Sequence, residues 1–568
     1  MSGNIERRPR IPFHNELRTC VSTAISTLPT ASSLRLLLPR LGIALALAPF
    51  LLLCAFNQPF FDDFRNGTWM REHGTWGVQL WLFQTWTGRF TTTFIMTVLN
   101  PVAYGWLGGV KVASAVLFLG LWASLAHLLR ALRWPPLGFN CTRRQAWWAA
   151  GLLLVLFCNA APAPFSFLYW FAGALVYQLT LIGLLNFTAL ALRVGWGPAA
   201  GRRRAAIWAC LPLVLALTGN ELTLVQALPV LAVLALALPR AVRPALLGWL
   251  LIAVLAAVVA ITAPGNWARA AAMAPPSDPY YAYRWLVLIP RSVLSMGLFL
   301  VKPMHGLSAL AAGGLGWWAG RQVPATAPAP RPLARRQWWT LLLAYAALNF
   351  IGFLLFRYLV VGAPLMRAQN EILLVLLGST AGLGWLVGRH SGIAASSAVP
   401  EALSTVSSPE NQQPFESLSP LMTQSQPEKL PQLVELPPMA AASFPQRLVR
   451  LASLLLLVGL LAAGHVPEAW RELATSAVPF DAQMQARFAA LRMAHRAGTP
   501  HLTLPPLRLP YGRVLIPLRQ FNSDIEFDID LTKGCEGNIN GVMENYFEVP
   551  DVCCEPDAML DEGVRAKK

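Results

Sequence analysis

Leu41–Phe56 reads LGIALALAPFLLLCAF, and Gln58–Phe90 reads QPFFDDFRNGTWMREHGTWGVQLWLFQTWTGRF. The first stretch is apolar and predicts a membrane-spanning helix. The second opens with two adjacent carboxylates, Asp62 and Asp63, just past the point where that helix would leave the bilayer. Phe60, Phe61, Phe64, Trp69 and Trp76 surround them, as aromatic side chains do at a membrane interface. Thr87-Gly88-Arg89-Phe90 closes the stretch before apolar sequence resumes. An acidic pair held at the membrane surface with cations close by is a place for chemistry, and the loop at 58–94 is the expected active site.

The rest of the chain agrees with a membrane reading. Of 568 residues, 55% are hydrophobic and 13% charged, where soluble domains carry roughly 25% charged residues. Mean hydropathy is +0.48. Apolar runs of roughly 17–25 residues recur, which predicts an all-α polytopic fold and excludes a membrane β-barrel, whose strands alternate with period two.

The net charge of +17 is concentrated in Arg clusters between alternate spans. They are Arg130, Arg133, Arg143 and Arg144; Arg202–Arg204; Arg240 and Arg243; Arg321, Arg331, Arg335 and Arg336. This is the positive-inside pattern, so the charge reports topology and no nucleic-acid partner is expected. Residues 1–40 form a basic cytoplasmic N-terminus. About eleven spans follow, ten of them within 41–388 and the last at 448–464. The apolar run Ala205–Leu238 is too long for one span and is read as two that turn at Gly219-Asn220-Glu221. Trp285–Val301 is read as an interfacial helix with a cationic face, and about Met304–Gly320 as the span after it. Residues 389–447, rich in Ser, Pro and Gln, predict a flexible cytoplasmic linker. The odd span count puts the tail, 465–568, on the extracytoplasmic side. There Asp481–Ala497 predicts a helix, Asp524–Leu531 alternates as a strand, and Cys535, Cys553 and Cys554 allow a disulfide. The tail is thus expected to be a small α/β region.

With this topology the mixed polar residues collect on one side: Asp62, Asp63, Arg89, Asn220, Glu221, Asn266, Arg269, Arg284, Arg291, Arg367 and Asn370. Arginines offer forked donors to phosphate oxygens, and a carboxylate beside them can deprotonate a hydroxyl. Asp62 and Asp63 are therefore the candidate catalytic residues. Arg89, Glu221, Asn266, Arg269, Arg291, Arg367 and Asn370 are the candidate substrate-binding residues. Simpler roles exist for each. The aspartates can cap the helix that follows, the arginines can snorkel, and Pro264-Gly265-Asn266 is an ordinary turn signal. No metal-ligand spacing is found, although Mg²⁺ or Mn²⁺ would suit carboxylates on that face.

Phe61-Asp62-Asp63-Phe64 and Trp86-Thr87-Gly88-Arg89-Phe90 resemble the first outer loop of bacterial polytopic GT-C-type glycosyltransferases. Ala263-Pro264-Gly265-Asn266-Trp267-Ala268-Arg269 and the segment from Gly362 to Asn370 are similar to an uncharacterised branch of that group. The resemblance implies a protein of the bacterial inner membrane. It implies transfer of a sugar from a polyprenyl-phosphate donor to an envelope lipid, glycan or protein, on the outer side of the membrane. It implies Asp62 or Asp63 as base and Arg269, Arg291 and Arg367 as phosphate ligands. The partners would be the lipid-linked donor and membrane lipids. The alternatives are a transporter or flippase for a lipid-linked glycan and a non-enzymatic membrane protein of envelope assembly.

Overall fold

A computed structural model describes residues 31–133, 141–273, 279–322, 334–359, 362–397, 458–521 and 528–555. The chain is mostly helical. In order, the helices are α1 (Ala31–Leu53), α2 (Asp62–Thr85), α3 (Phe90–Val98), α4 (Gly109–Ala131) and α5 (Arg143–Ala160). After two π-helical turns, Phe165–Tyr169 and Ala174–Leu179, come α6 (Thr180–Trp196), α7 (Arg202–Gly219), α8 (Glu221–Ala237) and α9 (Arg243–Thr262). Then follow α10 (Pro264–Met273), α11 (Pro279–Val301), α12 (Pro303–Arg321), α13 (Arg335–Leu359) and α14 (Met366–Ser397). The tail adds α15 (His465–Thr475), α16 (Ala477–Ala497), β1 (His501–Leu504), α17 (Asn538–Phe547) and β2 (Asp551–Cys554).

Among the described residues, six helices are long and apolar enough to cross a membrane. The bent pair Trp285–Val301 and Pro303–Arg321 makes up to seven. The protein is therefore a helical, membrane-embedded chain, and the expected count of about eleven is not confirmed. Arg143–Ala160 and Arg202–Gly219 begin with arginines. Glu221–Ala237 has only 17 residues. Of the expected last span, 448–464, only 458–464 is described, and 458–463 is helical. The basic N-terminus before residue 31 and residues 398–447 of the expected linker lie outside the described residues, and α14 covers the linker's first residues.

Local sequence explains the breaks. Thr142 caps α5 in a reciprocal box: its hydroxyl accepts Gln145 N–H, and the Gln145 side chain accepts Thr142 N–H. Asn220 ends α7 and caps α8 by accepting Leu222 N–H at 3.2 Å. Gly195 touches Leu238, so the far ends of this pair meet the end of α6, while Glu221 meets Arg269 beyond α9. The apolar run 205–238 is thus a hairpin turning at Asn220, as expected. Pro303, which opens α12, follows an 80° bend, and the break falls between the two helices expected at Trp285–Val301 and about Met304–Gly320. Within α2, Gly74 takes φ 67°, and two helical pieces meet there.

Helices α12 and α14 pack backbone against backbone. A Cβ on Gly316 would lie 2.0 Å from the Ala381 carbonyl oxygen, and one on Gly388 would lie 2.0 Å from that of Trp317. Gly320 and Gly384 approach facing carbonyls at 2.2 Å by the same measure. Small residues let the backbones touch, the usual basis of helix association where lipid removes the hydrophobic drive.

The tail docks on the face that carries Asp62. Phe64 is fully buried, with its ring against Phe488, Tyr546 and Phe547 at 5.7, 4.8 and 5.9 Å. Tyr546 donates to the Val102 carbonyl at 2.7 Å, and Lys111 pairs with Asp481 at 2.5 Å. Glu472, wholly buried on α15, accepts the amides of Arg513, Val514, Leu515 and Ile516 at 3.0, 2.7, 2.9 and 2.7 Å. The expected helix at 481–497 is found inside α16. The sheet is a parallel pair, β1 with β2. In the expected strand 524–531, residues 528–531 are not strand, and 524–527 lie outside the described residues.

Candidate functional site

The two aspartates have different surroundings. Asp63 is 1% exposed. Its Oδ2 accepts Phe60 N–H and its Oδ1 accepts Ala172 N–H, both at 2.9 Å. Its own carbonyl accepts Asn100 Nδ2 at 2.7 Å. The residue therefore fastens the start of α2 to the turn Phe171–Gly173 and to the segment before α4. Burial pushes its carboxyl up to about 8, against the pull of the two amides. Asp62 keeps 32% of its side chain exposed and lies 3.6 Å from Arg65. Burial raises its carboxyl as well, while the nearby charges of Arg65 and Arg367 lower it. Arg65 also stacks over Phe61, with Cζ 4.3 Å from the ring centre. Arg367, at the start of α14, lies over Trp170 at 5.7 Å.

A second group of expected residues meets at Glu221. Arg89 Nε donates to Oε2 at 2.7 Å, and Arg269 Nη2 donates to Oε1 at 3.0 Å. Asn266 Oδ1 accepts Arg269 Nη2 at 3.3 Å and Gly88 N–H at 3.1 Å. Gly265 packs onto the backbone of Trp86 and Thr87, where an added Cβ would lie 2.4 Å from the Trp86 nitrogen. Thr92 donates to the Gly219 carbonyl at 2.7 Å. Three motifs distant in sequence, Thr87–Phe90, Thr218–Glu221 and Ala263–Arg269, are thus one packed unit.

The link between the two groups is Glu371, a residue that the sequence alone places at the end of a loop. It is fully buried on α14 and accepts Thr223 Oγ1 at 2.7 Å and Asn220 Nδ2 at 3.1 Å. Arg367 lies one turn before it. The available signal is its place as the one acidic residue before the apolar run Ile372–Val387. Asn370 serves the scaffold: its side chain accepts Ala163 N–H at 3.1 Å and donates to Ala163 O at 2.9 Å. Arg291 is exposed on α11. The arrangement is a row of polar residues from Asp62 through Arg367 and Glu371 to Glu221, Arg89 and Arg269, with the tail packed beside its Asp62 end. Beside Asp62, Arg65, Thr68, Trp69 and Glu72 of α2 face Asn538 and Asn545 of α17 across a cleft of about 480 Å³.

Such a row can hold an anionic group with guanidiniums and present one accessible carboxylate. The chain matches no described protein family, no curated protein and no solved structure.

Proposed function

We propose that this chain is an inverting membrane glycosyltransferase of GT-C type that uses a polyprenyl-phosphate sugar. The observation that supports this is the division of labour in the aspartate pair. Asp63 is committed to backbone amides, while Asp62 is accessible beside Arg65 and in the field of Arg367. In this reading Asp62 alone is the base. It takes the proton of an acceptor hydroxyl as that oxygen attacks the anomeric carbon. The polyprenyl phosphate leaves, its charge held by Arg367. Arg89, Glu221 and Arg269 are positioning residues that hold the loops around the donor. The polar row faces the outer side of the bacterial inner membrane, and the acceptor enters under the tail.

The test compares Asp62→Asn with wild type for sugar transfer from a polyprenyl-phosphate donor in membranes, at matched expression. Removing a general base should lower turnover by about 10²–10⁴-fold. A wild-type rate for Asp62→Asn would end the proposal. The 80° break between α11 and α12 supports a second reading, since transporters build sites at discontinuous helices. In that case the protein would move a lipid-linked glycan between leaflets with no change in its glycosidic bonds.

A further inference from the structure

His501, Cys535, Asp551 and Cys553 each direct one donor atom into a common space, all within 4.8 Å of one another. Topology makes this meeting. His501 and Asp551 are register partners across β1 and β2. Cys553 follows Asp551 by two and so shares its face of the strand. Gly534 pairs with Cys554 in both directions, at 3.1 and 2.9 Å, which brings the next residue, Cys535, over Cys553. In this structure the two sulfurs are joined as a disulfide.

We propose that the reduced tail binds one Zn²⁺ through His501 Nδ1, one Asp551 oxygen and the Cys535 and Cys553 thiolates, and that disulfide and metal are alternative states. With zinc–sulfur bonds of about 2.3 Å and zinc–nitrogen and zinc–oxygen bonds of about 2.0 Å, a tetrahedral site has sulfur–nitrogen and sulfur–oxygen edges of about 3.5 Å. Cys553 Sγ is already 3.6 Å from His501 Nδ1 and 3.5 Å from Asp551 Oδ1. The main adjustment is the sulfur–sulfur edge, which opens to about 3.8 Å once the bond is cut. Thr503 supplies the outer support. His501 Nε2 lies 3.0 Å from its hydroxyl, which can accept a hydrogen bond from Nε2–H when Nδ1 is the ligand. Nδ1 lies 2.7 Å from Asp551 Oδ2, and the metal would sit between these two atoms.

The steps balance. A dithiol passes one hydrogen to each cysteine sulfur and closes to its own disulfide. Zn²⁺ then displaces a proton from each thiol, and both go to solvent, while a neutral His501 coordinates through Nδ1 and carries its one ring proton on Nε2.

The full chain in detergent, reduced with a phosphine that brings no competing thiol, is titrated with Co²⁺ as a spectroscopic stand-in for zinc. Uptake of one Co²⁺ per chain is expected, with a thiolate charge-transfer band and tetrahedral visible absorption. The oxidised chain should take up none, and Zn²⁺ should displace the cobalt. Cys535→Ser with Cys553→Ser should abolish the band although other cysteines remain. His501→Ala should weaken binding at least tenfold, and His501→Cys should restore it with a stronger thiolate band. No uptake by the reduced wild type overturns the site. So does uptake that survives the double serine variant, or a His501→Ala variant that binds like wild type.

Discussion

Arg89 Nε stands 2.7 Å from Glu221 Oε2, across 132 positions of sequence. Because Arg269 takes the other oxygen of the same carboxylate, Glu221 fixes two guanidiniums from two separate loops. The three side chains are 16–23% exposed, so the cluster is partly shielded from solvent. Its mutual attractions exceed those of surface ion pairs.

Glu221→Gln should therefore lower stability by about 2 kcal/mol, between the typical figures for exposed and buried pairs. Arg269→Gln should cost a similar amount. The double variant should lose less than the sum, because each single change strands the partner's charge. Thermal unfolding in detergent measures this cycle. Additive losses would show that the two groups do not depend on each other.

The α12–α14 contact gives a position-specific contrast. Gly316→Ala places a Cβ against the Ala381 carbonyl, which is backbone and cannot swing aside. At Gly314, two residues away, an added Cβ would meet nothing within 4 Å, and Ala favours helix over Gly by roughly 1 kcal/mol. Gly316→Ala should reduce the yield of monodisperse protein, and Gly314→Ala should leave it unchanged or improve it. Equal behaviour of the two would mean that backbone contact does not hold these helices.

How much of this is legible in the sequence depends on the range of the cause. The hairpin at Asn220 follows from the length of an apolar run and a capping residue, both local. The division between Val301 and Met304 is also legible, but the 80° bend there is not. The grouping of Arg89, Glu221, Asn266 and Arg269 is expected from the sequence, but their contacts are not legible there. The difference between Asp62 and Asp63 is not legible. It arises from the Phe60 amide, which is local, together with the Ala172 amide, 109 positions away. Glu371 escapes for the same reason: its partners, Asn220 and Thr223, belong to another hairpin.

Glu472 holds four consecutive amides of the tail with its two oxygens. Glu472→Gln replaces one oxygen with a donor that faces amide donors. Leaving such groups unsatisfied should cost on the order of 3 kcal/mol. Hydrogen exchange at residues 513–516 should accelerate, with little change in the membrane helices. Unchanged protection there would mean that the segment is held by its apolar contacts alone.

Asp63 predicts a pH dependence whose sign is fixed by its environment. In the unfolded chain it titrates near 3.8, and in the folded chain burial carries it to about 8. Between those values the folded state binds the proton that the unfolded state has released. Stability from this group is therefore full below the lower value and falls as pH rises toward the upper one. Glu472, pushed up to about 7 by burial, adds a slope of the same sign. Asp63→Asn should remove its own share and leave a shallower profile. It should also lower stability at acidic pH, because an amide NH₂ would face one of the two backbone donors. Asp62→Asn should remove the share that Asp62's own raised carboxyl adds, keep the share from Asp63, and shift that share slightly downward in pH, since the Asp62 charge helps to raise its neighbour. Melting temperatures across pH 4–9 for the three proteins decide the matter. If wild type and Asp63→Asn have parallel profiles, Asp63 is ionised throughout, and the distinction between a protonated anchor and an accessible base is lost.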